Sequence, residues 1–135
     1  MSIPKIQSAL ETALKSIVPA LSTAYANTDF TPVVDVAYQE AWLLPATPEN
    51  PIMGDAFHRQ AGIFLVKLQY PPDKGSGPAA ARAELIAALF KRGASFVKDG
   101  VVVQIERTPE IGAGRPEEGR WALPVKIRWF ANIHK

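Results

Sequence analysis

The sequence predicts an α+β domain in which a mostly antiparallel β-sheet carries two α-helices on one face. Apolar residues recur at three- and four-residue steps in two stretches, which is typical of amphipathic helices. They alternate with other residues in several further stretches, which is typical of strands. The order is helix, strand, strand, helix, hairpin, strand, and the 135 residues, 47% of them hydrophobic, suit a single domain over residues 1–135.

The first helix is predicted from the spacing of its apolar residues, and its probable end is marked by Pro19. The residues that recur along it are Ile3, Ile6, Leu10, Leu14, Ile17 and Leu21. An extended strand is predicted from Val33 to Leu44, between Pro32 and Pro45. Its shared face is expected to hold Val34, Val36, Tyr38, Glu40 and Trp42.

A long exposed loop is predicted from Pro45 to Ala61, because the stretch contains three prolines, a glycine and scattered polar residues. It also carries apolar side chains that a solvated loop does not need. We therefore expect it to be mobile in an isolated subunit and to dock on a partner. The interface residues predicted here are Ile52, Met53, Phe57, His58 and Arg59.

The strongest strand pattern runs from Gly62 to Tyr70, and apolar residues on both of its faces predict a central position in the sheet. A second helix is predicted from about Pro78 to Arg92, followed by a glycine cap at Gly93. Its apolar stripe is expected to comprise Ala81, Leu85, Ala88 and Leu89, flanked by Ile86 and Phe90.

In the C-terminal third of the chain, the sequence predicts a hairpin, a second flexible loop and a last strand. Asp99-Gly100 is a favoured two-residue hairpin turn because both positions tolerate positive φ. The loop extends from Thr108 to Arg120, and Arg115, Glu117, Glu118 and Arg120 are predicted interface residues within it. The last strand faces the core with Trp121, Leu123, Val125, Ile127 and Trp129. Pro124 cannot donate a ladder hydrogen bond, which predicts an edge or a bulge there.

Residues with catalytic or metal-binding chemistry are scarce. The chain has no cysteine, and its two histidines, His58 and His134, lack a matching acid or nucleophile at a useful spacing. Asp55 and His58 offer too few ligands for zinc. The glycine-rich turn before Pro78 lacks the Lys-Ser/Thr pair of a phosphate-binding loop. We therefore predict no catalytic residues, no cofactor, no metal and no enzymatic activity.

Charge is unevenly distributed along the chain. Residues 1–60 hold three basic and six acidic side chains, whereas residues 61–135 hold twelve basic and seven acidic ones. This asymmetry could steer copies of the chain head to tail, although two ordinary solvated surfaces would give the same pattern. The net charge of +2 is too small to indicate more than nonspecific contact with DNA. No signal peptide or membrane span is recognisable, which predicts a cytoplasmic protein without membrane contact.

The order of motifs resembles the lambda-type phage tail terminators and their prophage relatives over nearly the whole chain. The resemblance lies in the amphipathic N-terminal helix, the LLPA-x-P loop, the strand GIFLVKLQYPPDKGSG leading into an alanine-rich helix, the helix end LFKRG, the glycine hairpin and the final WALPVKIRWFA. It implies a structural subunit that assembles as a ring of six, stops tail-tube polymerisation and supports head attachment. The implied partners are copies of itself, the tail-tube protein and head-completion proteins, first in the host cytoplasm and then in the virion tail.

Two alternatives remain open from the sequence. The basic C-terminal half is also compatible with a monomeric adaptor or a nucleic-acid-binding module. A small-molecule binder or enzyme would require a deep pocket with convergent polar groups. If the chain forms a ring through unlike surfaces, charge reversal at Arg115 and Arg120 should weaken assembly and leave the fold intact.

Overall fold

The computed structural model describes residues 2–25, 30–33, 35–50, 53–54, 57–73 and 75–134. Within these residues two helices and eight strands form an α+β domain with a mostly antiparallel sheet, which confirms the predicted fold class. The helices are α1 (Ser2–Lys15) and α2 (Gly77–Leu89). The strands are β1 (Ser22–Tyr25), β2 (Tyr38–Pro45), β3 (Phe57–Tyr70), β4 (Ser95–Lys98), β5 (Val101–Ile105), β6 (Glu110–Ile111), β7 (Arg115–Glu117) and β8 (Arg120–His134).

The sheet is built around β3 and β8. Its strand order is β1-β2-β3-β8-β5-β4, and the short strands β6 and β7 pair with the N-terminal half of β8. β3 and β8 are antiparallel over fourteen residue pairs, from Phe57 opposite His134 to Tyr70 opposite Trp121. Only β1, which pairs with β2, runs parallel to its neighbour among the described strands. The predicted central position of β3 is therefore confirmed.

The core lies between one face of the sheet and the two helices. Alternate residues of β3 and β8 point into it, and Phe64, Val66, Val125, Ile127 and Trp129 are fully buried. α1 contacts β4 and β5, whereas α2 contacts β3, β6 and β8. The predicted inward face of the last strand is confirmed in its centre, where the exposed Lys126 and Arg128 occupy the opposite face.

The first half of the chain differs from the prediction in two ways. The sequence did not indicate β1, a four-residue strand without an alternating pattern. The strand predicted from Val33 begins only at Tyr38. Tyr38, Glu40 and Trp42 share a face as predicted, and the opposite face, with Gln39 and Ala41, is the one that packs on the core. The register of β2 against β3 determines which face of β2 packs on the core. Ala41 lies opposite the buried Val66 of β3, so the face that holds Glu40 and Trp42 points away from the helices. Val34 lies outside the described residues.

The second helix exists where it was predicted, but it is rotated about its axis. Its buried residues are Ala79, Arg82, Ala83 and Ile86, and Phe90 is buried directly after it. Ala81, Leu85 and Ala88 of the predicted stripe are exposed. In an alanine-rich helix the contrast between faces is small, and the helix packs with its small side chains towards the sheet, where the large side chains of β3 and β8 need room.

Both predicted loops are partly strand. Phe57 to Ala61 belong to β3, so the connection between β2 and β3 is shorter than predicted. The segment from Thr108 to Arg120 contains β6 and β7, which fold back onto β8. Pro124 consequently lies inside the sheet, and its carbonyl accepts a hydrogen bond from the Gly112 amide at 2.9 Å. Proline has no backbone N–H to donate, and Pro124 lies at the position of β8 that faces the gap between β6 and β7.

Two tight turns position the strands of the C-terminal half. Asp99 and Gly100 both have positive φ and join Lys98 to Val101, which confirms the predicted hairpin. Glu118 and Gly119 form the same kind of turn between β7 and β8, with φ values of 50° and 75°.

Candidate interaction surfaces

The connection between β2 and β3, residues 46–56, is fastened at its base and exposed at its tip. The Ala46 amide donates to the Ala61 carbonyl at 2.8 Å, and Glu49 and Arg59 exchange two backbone hydrogen bonds of 2.8 Å each. Met53 at the tip is 97% exposed. Ile52, the other apolar residue predicted to contact a partner here, lies outside the described residues.

The other predicted interface residues of this region are the first three residues of β3. The Phe57 ring packs against the His134 ring with centroids 4.9 Å apart. His58 is half-buried opposite Ile133. These contacts place Phe57 and His58 in the sheet and not in a loop, so their side chains are partly engaged within the subunit.

Arg59 is held by neighbouring side chains of β8. Its guanidinium lies 4.6 Å from the centroid of the Phe130 ring, and its Nε donates to Asn132 Oδ1 at 3.2 Å. This cation–π contact and the hydrogen bond order the side chain on the helix-free face of the sheet.

The segment that contains β6 and β7, residues 108–119, carries an ion pair. Lys67 of β3 donates to the Glu117 carboxylate, and Arg115 lies 3.6 Å from the same carboxylate. The hydrogen bond from Lys67, assisted by the charges of Lys67 and Arg115 and opposed by desolvation, lowers the pKa of Glu117 below its ordinary value. Arg115 has a side chain that is 74% exposed, and Glu118 is exposed in the turn before β8.

Arg120 makes structural contacts that its predicted interface role did not include. Its guanidinium donates to the carbonyls of Val33 and Val36 at 2.7 and 2.8 Å, and it lies 4.8 Å from the centroid of the Tyr38 ring. Arg120 thereby attaches the segment before β2 to the turn between β7 and β8. A charge reversal at this residue acts on the fold as well as on any interface.

The chemistry of an active site is sparse in the described part of the chain. No group of three or more His, Asp or Glu side chains there could hold a metal ion. Asp55, considered above together with His58 as a metal ligand, lies outside the described residues. The glycine-rich turn ends at Ser76, whose side chain makes no capping hydrogen bond to α2. Neither α1 nor α2 has the length and hydropathy of a membrane-spanning helix.

The two charge regions of the sequence do not form opposite sides of the molecule. α1 belongs to the acidic first part but packs against β4 and β5, whereas β1 and β2 lie at the other edge of the sheet. The aromatic residues near the basic C-terminal stretch are also not a free stacking surface: Trp129 is fully buried, and Trp121 is half-buried beneath Gly114.

Among the exposed apolar side chains that sequence reasoning did not single out, two groups lie on or beside the outer strands of the sheet. One is the β4–β5 hairpin, where Val97 and Val102 lie opposite each other on the helix-free face. We call this pair the hairpin patch. The other comprises exposed residues at the two ends of β2, at the opposite side of the sheet: Val33 and Val36 lie just before the strand and Leu44 lies near its end, and we refer to them together as the β2 patch. For the hairpin patch, the sequence did contain an indication: Val101–Ile105 has apolar residues on both of its faces, and only one of these faces can pack on the core.

A buried arginine, Arg82, is a second feature that the sequence analysis missed. It lies on the core-facing side of α2 and is 4% exposed. The signal was its helical spacing: Arg82 follows Ala79 by three residues and precedes Ile86 by four, so it shares their face.

Comparison with known proteins gives matches among solved structures and a match to a protein family. A solved structure whose name states no function is 27% identical and superimposes with a TM-score of 0.79, covering 100% of this chain and 99% of that chain. None of the curated proteins compared with the chain matches it. The family of phage tail terminator proteins matches residues 5–129, which include α2, all but the first three residues of α1, and nearly all of the sheet. This chain therefore belongs to the phage tail terminator family and is a structural protein of a phage tail.

Proposed function

We propose that the chain assembles head to tail into a closed ring, of about six subunits by family resemblance, that caps the tail tube and supports head–tail joining. The observation that carries this proposal is the pair of unlike apolar patches on either side of the sheet. A ring needs two different, complementary surfaces on each subunit, because each copy contacts its two neighbours through different faces.

The hairpin patch has the exposure expected of an unpartnered surface. Val97 is 64% exposed on β4, which is the last strand at this edge of the described sheet. Exposed valines on an edge strand favour association with another protein surface, since burial of each such side chain contributes about 1.5–3 kcal/mol.

The β2 patch provides a different surface. Leu44 is 49% exposed near the end of β2, beyond the part of β2 that β1 covers. Val33 and Val36 are exposed just before β2, in the segment that Arg120 holds in place. This pre-ordered geometry reduces the conformational entropy that an interface would otherwise lose on association.

The test uses one disabling substitution in each patch. Val97→Asp and Leu44→Asp should each abolish ring formation, measured by sedimentation at high protein concentration with tail tubes added if the wild type alone stays monomeric. Val97→Thr is the matched control, since it keeps the β-branched shape and carries no charge. Circular dichroism checks that each variant is folded.

Mixing the two disabled variants distinguishes a head-to-tail contact from a symmetric one. Each variant retains the patch that the other has lost, so the mixture should form pairs but no rings. A wild-type protein that remains monomeric under every condition, tubes included, would contradict the proposed ring. Pairs formed equally well by Val97→Asp alone would contradict the head-to-tail geometry.

A further inference from the structure

The charge of Arg82 has no carboxylate partner among the residues that the structure describes. Both ion pairs found there involve Glu117. The Nη1 group of Arg82 donates to the carbonyl of Pro19, in the connection between α1 and β1. Its Nε is buried and has no acceptor in the described part of the chain. A guanidinium has five N–H donors, so most of its hydrogen-bonding capacity is unused within the subunit.

Such an arrangement is costly for folding. Removal of a charge from water is unfavourable unless a partner charge or a full set of hydrogen bonds replaces the water. Burial accordingly lowers the pKa of Arg82 below its ordinary value, an effect that Tyr70 opposes. An uncompensated buried charge is expected chiefly where a protein uses it for binding.

Arg82 forms part of the wall of a surface cavity of about 260 Å³, located where the α1–β1 connection crosses α2. Its polar lining comes from Arg82 and Tyr70, and its apolar lining includes Pro19, Leu21, Pro78 and Leu85. A guanidinium surrounded by apolar walls favours an anion carried on an apolar support, because the low local polarity strengthens the charge–charge attraction.

The size of the cavity and its rim indicate the kind of anion. Small-molecule sites usually occupy about 300–1,000 Å³, so this cavity suits a single side chain better than a free ligand. Beside the cavity, Val18 is 83% exposed and Leu85 is 43% exposed. These apolar residues extend the surface beyond the volume that one carboxylate fills, as expected for contact with a protein.

We propose that this cavity, the Arg82 groove, binds an acidic side chain that a neighbouring protein subunit of the tail presents between apolar residues. The neighbour's carboxylate accepts hydrogen bonds from the guanidinium, and its flanking apolar side chains cover Val18 and Leu85. The assignment to a tail subunit rests on the proposed function, whereas the carboxylate recognition does not.

The test uses two capped tripeptides as probes, acetyl-Leu-Glu-Leu-amide and its Leu-Gln-Leu counterpart, titrated into ¹⁵N-labelled protein. The Glu peptide should shift the Nε–H resonance of Arg82 and the backbone amides of Leu21 and Leu85. It should bind at least about tenfold more tightly than the Gln peptide, because a hydrogen bond between two charged groups is stronger than one to a neutral amide.

Arg82→Met should abolish the preference for the Glu peptide, whereas Arg92→Met, a matched change just beyond the end of α2, should preserve it. If Arg82→Met does not fold, the Glu-to-Gln comparison in the wild type decides the question by itself. Equal binding of the two peptides, or no shift at the solubility limit, would overturn the proposal. Sodium acetate binding as tightly as the Glu peptide would assign the groove to small carboxylates and overturn the assignment to a protein partner.

These titrations use the dilute protein, so they remain informative whether or not it forms a ring. If the protein forms no ring but still prefers the Glu peptide, the proposed function is rejected and carboxylate binding at the Arg82 groove is retained. If the protein forms a ring but does not prefer the Glu peptide, carboxylate binding is rejected and the proposed function is retained.

Discussion

The β2–β3 connection and the β6–β7 segment have similar compositions but different degrees of order. Both are rich in proline, glycine and polar residues. The β6–β7 segment pairs with β8 at two places, through β6 and through β7, and its Glu117 binds Lys67. Among its described residues, the β2–β3 connection has strand-like hydrogen bonds only at its base, and Met53 at its tip is exposed.

The difference arises from what each segment finds beside it. Beyond its pairing with β5, the edge of β8 that faces away from β3 has no long strand to pair with, and β6 and β7 supply hydrogen bonds along that edge. No comparable vacant edge adjoins residues 47–54 among the described strands, because β2 and β3 already pair with each other up to Pro45. Composition alone therefore does not decide whether a proline- and glycine-rich segment is ordered.

The largest effect is expected at Gly62, a residue of β3 that lies opposite Pro45, the last residue of β2. A Cβ here would lie 2.6 Å from the Leu44 carbonyl oxygen and 2.7 Å from the Trp129 ring. Gly62→Ala should lower the free energy of unfolding by about 1–3 kcal/mol, since backbone must move to make room. Urea denaturation measures it.

Gly114→Ala in the β6–β7 segment is the matched control for that change. Its Cβ would meet only the side chain of the half-buried Trp121, at 2.4 Å, and an indole can shift more easily than a backbone. The loss of stability should therefore be smaller than for Gly62→Ala. The opposite order would mean that the base of the β2–β3 connection is the more compliant site.

The next effect concerns the arginines of the β6–β7 region. Arg120→Ala should destabilise the fold by about 1–2 kcal/mol, because it removes two hydrogen bonds to backbone carbonyls and the contact with Tyr38. Arg115→Ala should change stability by less than about 0.5 kcal/mol, as is usual for an exposed ion pair. Thermal unfolding of both variants decides this, and equal losses would contradict the structural role of Arg120.

The contacts of Arg120 argue against the sequence-based expectation that charge reversal at both Arg115 and Arg120 leaves the fold intact. Arg115 alone meets that condition on structural grounds. A charge-reversal test of assembly should therefore use Arg115→Glu and leave Arg120 unchanged.

A smaller, pH-dependent effect is expected from the Lys67–Glu117 pair. Since the pKa of Glu117 is lowered in the folded state, its contribution to stability is present above the ordinary glutamate pKa of about 4.3 and is lost as the pH falls through the lowered value. The urea midpoint of the wild type should fall more between pH 7 and pH 3 than that of Glu117→Gln. Glu118→Gln is the control and should behave as the wild type does; identical pH dependence of Glu117→Gln and wild type would exclude this coupling.

The smallest effect is expected at the tip of the β2–β3 connection. Met53→Ser should change the stability of the monomer by less than about 0.5 kcal/mol, because the side chain makes almost no contact within the subunit. Amide exchange should be fast at Met53 and Gly54 and slow at Glu49, whose amide donates to Arg59. Strong protection at the tip in a dilute monomer would show that the connection belongs to the fold and is not a docking element.

The elements that the sequence predicted well carry their signal locally. The Asp99-Gly100 turn and the alternation in β3 and β8 each depend on a few adjacent residues and were found in the expected places. β1, β6 and β7 were missed because two to four residues contain too little pattern and because their partners are distant in sequence. Their order is a property of the assembled sheet.

The candidate surfaces were likewise predictable only where the local sequence determines the exposure of a residue. Met53 was predicted to contact a partner; its side chain is exposed, and its role in an interface stays a prediction. The hairpin patch and the Arg82 groove depend on which face of a strand or helix is covered. The face of α2 was predicted incorrectly because Leu85 is larger than Ala79 and Ala83, which are the residues that pack on the sheet.

The central position of β8 has a consequence for synthesis and for mutation of the gene. β8 follows all other described strands in the chain, yet β3, β5, β6 and β7 all pair with it. Until the ribosome has added the residues after Arg120, β3 exposes one complete hydrogen-bonding edge, and such edges favour aggregation. A stop codon between the codons for residues 71 and 120 should therefore yield an insoluble fragment, so no shortened product should be available to enter a tail and compete with the full-length subunit.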